Sequence, residues 1–133
     1  NYCLKDIWSP YNSQNTMFSP KLFPLAFMWP GAGRSEDIYA SYAWQRFLFN
    51  NDMYAHIGDS VNRQVRGKRD DLRDLGLEVE SYLKGHEVWA EINAIREKDA
   101  LAFIEQLMRS PHEIVARERN FMGAFLRDLK RVS

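Results

Sequence analysis

Five hydrogen-bonding side chains stand in a row at Asn12-Ser13-Gln14-Asn15-Thr16, just before a short apolar segment. Carboxamides both donate and accept, so the row suits the hydroxyls of a sugar-like ligand, with Trp8, Tyr11 and Trp29 as nearby stacking faces. The same residue types also suit a turn built on side-chain-to-backbone hydrogen bonds. Further along, Gly31-Ala-Gly-Arg-Ser-Glu-Asp37 sets a flexible turn, a cation and two carboxylates at a helix start. Helix N-terminal amides and Arg34 favour an anion, while Glu36 or Asp37 can take a proton from an attacking hydroxyl. The structural alternative is a capped helix with Arg34 paired to one of those acids, worth at most about 1 kcal/mol at an exposed site.

His56 lies in the apolar stretch Met53-Tyr-Ala-His-Ile57, with Asp59 and Asn62 following, a loose set of potential metal ligands that equally suits a structural histidine. Arg63, Arg66, Lys68 and Arg69 form a basic cluster suited to phosphate or to solvent, but Asp70, Asp71 and Asp74 follow at once. No sustained nucleic-acid stripe results. Glu113, Arg117, Glu118 and Arg119 read as charge on a helix surface. With 18 basic and 18 acidic side chains the formal net charge is zero, and Cys3, the only cysteine, excludes an internal disulfide and a Cys-based zinc site.

These residues must be positioned by a chain of 133 residues, one domain's length. Hydrophobic residues make up 45% of it, which implies a packed core, and its longest apolar run is interrupted by Pro24 and stopped by Pro30, too short for a membrane span. The chain starts at Asn1 without a methionine and reads as a piece of something longer or a processed product. A strand or extended piece is expected over 16–19, a short helix over 21–28, a turn at 31–33 and a helix over 35–50 capped by Ser35. The last should bury Ile38, Tyr42 and Phe49, partly with Ala43 and Leu48. A buried strand follows at 53–57. Helical periodicity begins at Asp70 with Leu72, Leu75, Val79, Tyr82 and Leu83, then Val88, Trp89, Ile92 and Ile95, and Gly76 and Gly85 mark a bend or break. Amphipathic helices over 99–109 and 112–131 complete an α+β, predominantly helical fold with a few short strands.

In order and spacing, Pro10-Tyr-Asn-Ser-Gln-Asn-Thr16, Gly33-Arg-Ser-Glu-Asp-Ile38 and Ser41-Tyr-Ala-Trp-Gln45 resemble the STELLO-type glycosyltransferases, where the pattern runs P-x-N-[ST]-Q-N-T, G-R-x-x-D-I, S-Y-x-x-Q. The likeness covers roughly residues 10–84. A more distant one is to the reversibly glycosylated polypeptides, or UDP-arabinopyranose mutases, with G-R-x-D-D-M-W at the helix start. The resemblance implies the carboxy-terminal portion of a GT-A-like, nucleotide-sugar-dependent enzyme that transfers a sugar to a hydroxyl acceptor. Residues 1–97 would be its acceptor-side part and 98–133 a helical extension packed on it.

Residue by residue, the resemblance implies Asp37 or Glu36 as general base or positioning carboxylate, and Arg34 as a contact to the diphosphate or a clamp on the acid. Asn12, Gln14 and Asn15 would line the sugar or acceptor pocket, and His56 would stand near a divalent metal, Mn or Mg. The nucleotide-binding half and its D-x-D motif do not precede these motifs here, and Asp70-Asp71 follows them in a helical pattern. The implied partners are therefore a nucleotide sugar, an acceptor, and an amino-terminal half or another subunit; nucleic acid is not among them. The competing expectation is a non-catalytic helical interaction module, burying a stripe of the helices in 99–132 against another subunit.

Overall fold

In the computed structural model, residues 2–5, 7–12, 15–59, 61, 63, 65 and 67–132 are described. The fold is α+β and predominantly helical. A 3-10 helix at Pro20–Leu25 and a second 3-10 segment at Pro30–Ser35 lead into α1 (Glu36–Asn50). Then come α2 (Asp71–Ala94), α3 (Ala100–Met108) and α4 (Glu113–Val132). Two three-residue strands, β1 (Tyr2–Leu4) and β2 (Ala55–Ile57), pair antiparallel with Cys3 opposite His56.

Helix α1 is the centre of the molecule. Its acids Glu36 and Asp37 sit in the first turn, where the helix dipole favours them. Ser35 stands at the start as expected, yet its hydroxyl makes no capping bond and the residue is buried. The chain arrives instead through Gly33, at φ 59° and ψ −128°, a conformation open essentially to glycine alone. The buried set on α1 is Tyr39, Ala40, Ala43, Trp44, Phe47 and Leu48, not a face centred on Ile38, Tyr42 and Phe49. A helix enclosed by neighbours on several sides has no single apolar stripe, so periodicity misplaces its inner face.

Two buried polar residues of α1 hold the amino-terminal segment. Gln45 accepts from the Ser9 amide at 3.0 Å and donates to the Ser9 carbonyl at 2.8 Å, and Ser41 Oγ accepts from the Tyr11 amide at 3.3 Å. The third sequence motif thus fixes the backbone that leads into the first. At the other end, Asn50 donates to the carbonyls of Ile95 and Glu97, and Asn51 to that of Lys98, which ties α1 to the link between α2 and α3.

Residues 16–19 form no strand. Met17 is 98% exposed, no strand among the described residues pairs with the segment, and Ser19 Oγ accepts from the Lys21 amide to start the 3-10 helix. The helix expected over 21–28 ends at Leu25, with Pro24 inside it. The strand expected to be buried at 53–57 shortens to Ala55–Ile57 and exposes His56 and Ile57.

Asp70 caps α2 through the Arg73 amide, and Asp99 caps α3 through that of Ala102. Helix α2 runs through Gly76 and Gly85 without a break. Of its expected apolar positions, Val88 and Ile92 are buried, while Leu72, Leu75, Val79, Tyr82 and Leu83 are exposed. Phe103, Ile104 and Leu107 of α3 and Ile114, Val115, Met122, Leu126 and Leu129 of α4 join the same core as Trp29, Tyr39 and Trp44. The stripe of these last two helices is thus spent inside the molecule.

Candidate functional site

The amino-terminal turn of α1, the stretch leaving the first 3-10 helix and the segment on either side of the polar row enclose a concavity of about 210 Å³. Glu36 and Asp37 stand at its edge, and Tyr11, Phe18, Phe27, Met28 and Trp44 form most of its wall. Trp44 anchors the wall: its indole donates to the Leu25 carbonyl at 2.7 Å, and its ring lies 5.4 Å from that of Phe18 and 6.2 Å from that of Tyr11. Both carboxylates are half-buried, and Asp37 Oδ1 accepts from the Ile38 amide at 2.9 Å. Burial pushes the Tyr11 phenol up to about 12, so it remains a neutral donor through the physiological range.

Asn12 and Asn15 are exposed on the loop between the wall residues Tyr11 and Phe18, and the Thr16 hydroxyl donates to the Asn12 carbonyl at 2.7 Å. Gln14 and Ser13 lie outside the described residues. Trp29, expected as a stacking face, is completely buried in the core beside Tyr39, whereas Phe18 and Trp44 supply the aromatic wall. Phe18 had a signal in the sequence, an aromatic residue in a stretch without periodicity. Trp44 had none, because its helical spacing is that of any core residue.

Arg34 pairs with neither Glu36 nor Asp37. Its guanidinium reaches Asp74 at 3.2 Å and Glu78 at 3.1 Å, binding the Pro30–Ser35 turn to α2. From the other side the turn rests on Glu118, which is wholly buried and not on a helix surface as expected. The Glu118 carboxyl lies against the Gly31 and Ala32 amides without completing a hydrogen bond, and burial raises its proton affinity. A Cβ on Gly31 would come within 2.6 Å of Glu118 Oε1 and 2.9 Å of Arg117 Cβ, which explains glycine there. Arg117 forms a two-pronged pair with Glu80, Lys84 pairs with Glu113, and Arg119 donates to the Met108 and Ser110 carbonyls at the end of α3.

His56 is exposed on β2, and among the described residues no three His, Cys, Asp or Glu side chains converge as a metal site. Asn62 and Arg66 lie outside the described residues. Arg69 is held by Asp74 at 3.0 Å, and Arg63 and Lys68 are exposed. A larger concavity, about 470 Å³, opens between the end of α2 and α3, with Glu91, Glu97, Glu105 and Arg109 around it; none of the candidate catalytic, binding or metal residues lines it. No described helix is long and apolar enough to cross a membrane. Comparison with protein-family models, curated proteins and solved structures finds no match.

Proposed function

We propose that this chain is the acceptor-side portion of a GT-A-like glycosyltransferase, which moves a sugar from a nucleotide-sugar donor to an acceptor hydroxyl held in the groove beside α1. One juxtaposition supports the reading above all: adjacent carboxylates, Glu36 and Asp37, at the edge of a concavity with aromatic walls. Aromatic faces pack against the C–H side of a sugar ring, and carboxylates accept hydrogen bonds from its hydroxyls. In this reading Asp37 withdraws the proton of the attacking hydroxyl, Glu36 orients the acceptor, and the neutral Tyr11 phenol donates to it. Asn12 and Asn15 extend the contact outward along the loop.

Arg34 acts here as a positioning residue, because its pairs with Asp74 and Glu78 hold the turn that delivers both acids. The donor and its Mn or Mg ion belong to a nucleotide-binding half or another subunit. His56 and the other described residues do not supply a ligand set for that ion. The test is Asp37→Asn in the longest natural form of the protein. Transfer should fall by at least about 100-fold with the thermal midpoint nearly unchanged, whereas retained transfer removes Asp37 from the mechanism. The second reading, a non-catalytic interaction module, is favoured by one observation, the uncovered apolar stripe on α2.

A further inference from the structure

Helix α2 has three flanks with different fates. One faces the core: Val88 and Ile92 are buried, Gly85 lies under the Tyr39 hydroxyl, and Asp74 and Glu78 meet Arg34. A second faces α4 through Glu80–Arg117, Lys84–Glu113 and Glu87–His112. The third carries Leu72, Leu75, Val79, Tyr82 and Leu83, exposed by 82, 50, 44, 71 and 66%. The first four follow a three-four-three spacing, the a/d pattern that seats one helix in the groove of another. At its carboxy-terminal end the stripe is closed by Trp89, whose ring meets that of Trp8 at 5.6 Å.

We propose that this stripe is a self-association surface, on which a second copy of the chain lays its own α2 antiparallel about a two-fold axis near Val79. The area matches what a dimer requires. Large apolar side chains exposed to this extent offer on the order of 400 Å² per copy, close to the apolar share of a standard interface of about 800 Å² per partner. The pattern is also self-complementary, as a two-fold contact demands: in the antiparallel register Leu75 meets the partner's Leu83, and Val79 meets the partner's Val79. Gly76 lies at the stripe's margin, with no atom within 4 Å of where its Cβ would stand, which lets a second backbone approach.

The surface shares no residue with the groove beside α1, so the sugar-transfer reading and this one stand or fall separately.

Sedimentation equilibrium of the 133-residue chain tests it. The apparent mass should climb from 15.7 kDa toward twice that between about 1 and 100 μM, with a dissociation constant of micromolar order. Leu75→Glu with Leu83→Glu should hold the chain monomeric, with helicity unchanged because both sites are exposed. Leu75→Glu with Leu83→Lys should retain association far better, since only an antiparallel partner sets the two charges against each other. A wild-type monomer throughout that range, or a dimer indifferent to the paired glutamates, overturns the proposal and leaves the stripe to another segment or partner. Equal weakening by the two double variants overturns the antiparallel register.

Discussion

A buried Glu118 carboxyl beneath the turn that delivers Glu36 and Asp37 makes a sharp prediction at the scale of single residues. Burial raises its proton affinity above the ordinary carboxylate value of 4.5. The stabilising effect of that proton is therefore complete below pH 4.5 and is lost as pH rises through the raised value. Glu118→Gln keeps a neutral group of the same shape at every pH, so at pH 7 the variant should match or exceed the wild type in urea midpoint. The difference should shrink toward pH 4.5. A variant less stable at pH 7 than at pH 4.5, relative to wild type, contradicts a buried carboxyl at this site. Gly33 gives a second prediction: at φ 59° and ψ −128°, Gly33→Ala should cost about 1–3 kcal/mol, although nothing lies within 4 Å of the new methyl. A neutral result in urea denaturation would show that the turn relaxes freely.

At the level of elements, α2 shows how packing overrides local pattern. Gly76 and Gly85 look like breaks in the sequence, yet α2 continues through both because its inner flank is pinned by Arg34 and its α4 flank by paired charges. Gly85→Ala should consequently raise stability by about 0.5–1 kcal/mol, since the added methyl meets only the Tyr39 hydroxyl at 3.9 Å and the helix gains propensity. A loss of stability would mean that the Tyr39 hydroxyl cannot accept the contact. The extents of α1 to α4 were legible in outline from helical spacing and turn residues, and Asp70 and Asp99 cap where their residue types say they should, whereas Ser35 makes no capping bond. The inner face of α1 was not legible, because Ser41 and Gln45 are buried to hold residues 9–11, a purpose visible only once that segment is in place. At 16–19 the strand alternative did not hold, because among the described residues nothing pairs with that segment.

For the whole molecule, the charged ladder between α2 and α4 governs behaviour in acid. Arg117 beside Glu80 holds that carboxyl down at about 2, and Lys84 depresses Glu113 as Lys130 depresses Glu105. Depressed carboxylates contribute stability above their unfolded value of 4.5 and lose it as pH falls through the folded values. The midpoint of thermal unfolding should therefore drop between pH 4.5 and about 2, and the drop should be smaller in Arg117→Met. Because these groups are exposed, added salt should blunt the effect. An acid profile unchanged by that substitution removes the ladder from the account. The groove itself was half legible. Glu36 and Asp37 were singled out by type and position, while its wall depends on Phe18 and Trp44 meeting across 26 residues of chain, which no local pattern encodes.

The claim on which the functional account rests is that the groove beside α1 holds a carbohydrate. Titrating the chain with a panel of mono- and disaccharides, read by amide and indole chemical shifts, tests it most directly. The account predicts saturable shifts confined to Tyr11, Phe18, Glu36, Asp37 and the Trp44 indole, weakened in Asp37→Asn. Shifts elsewhere on the molecule, or none for any sugar at millimolar concentration, contradict it.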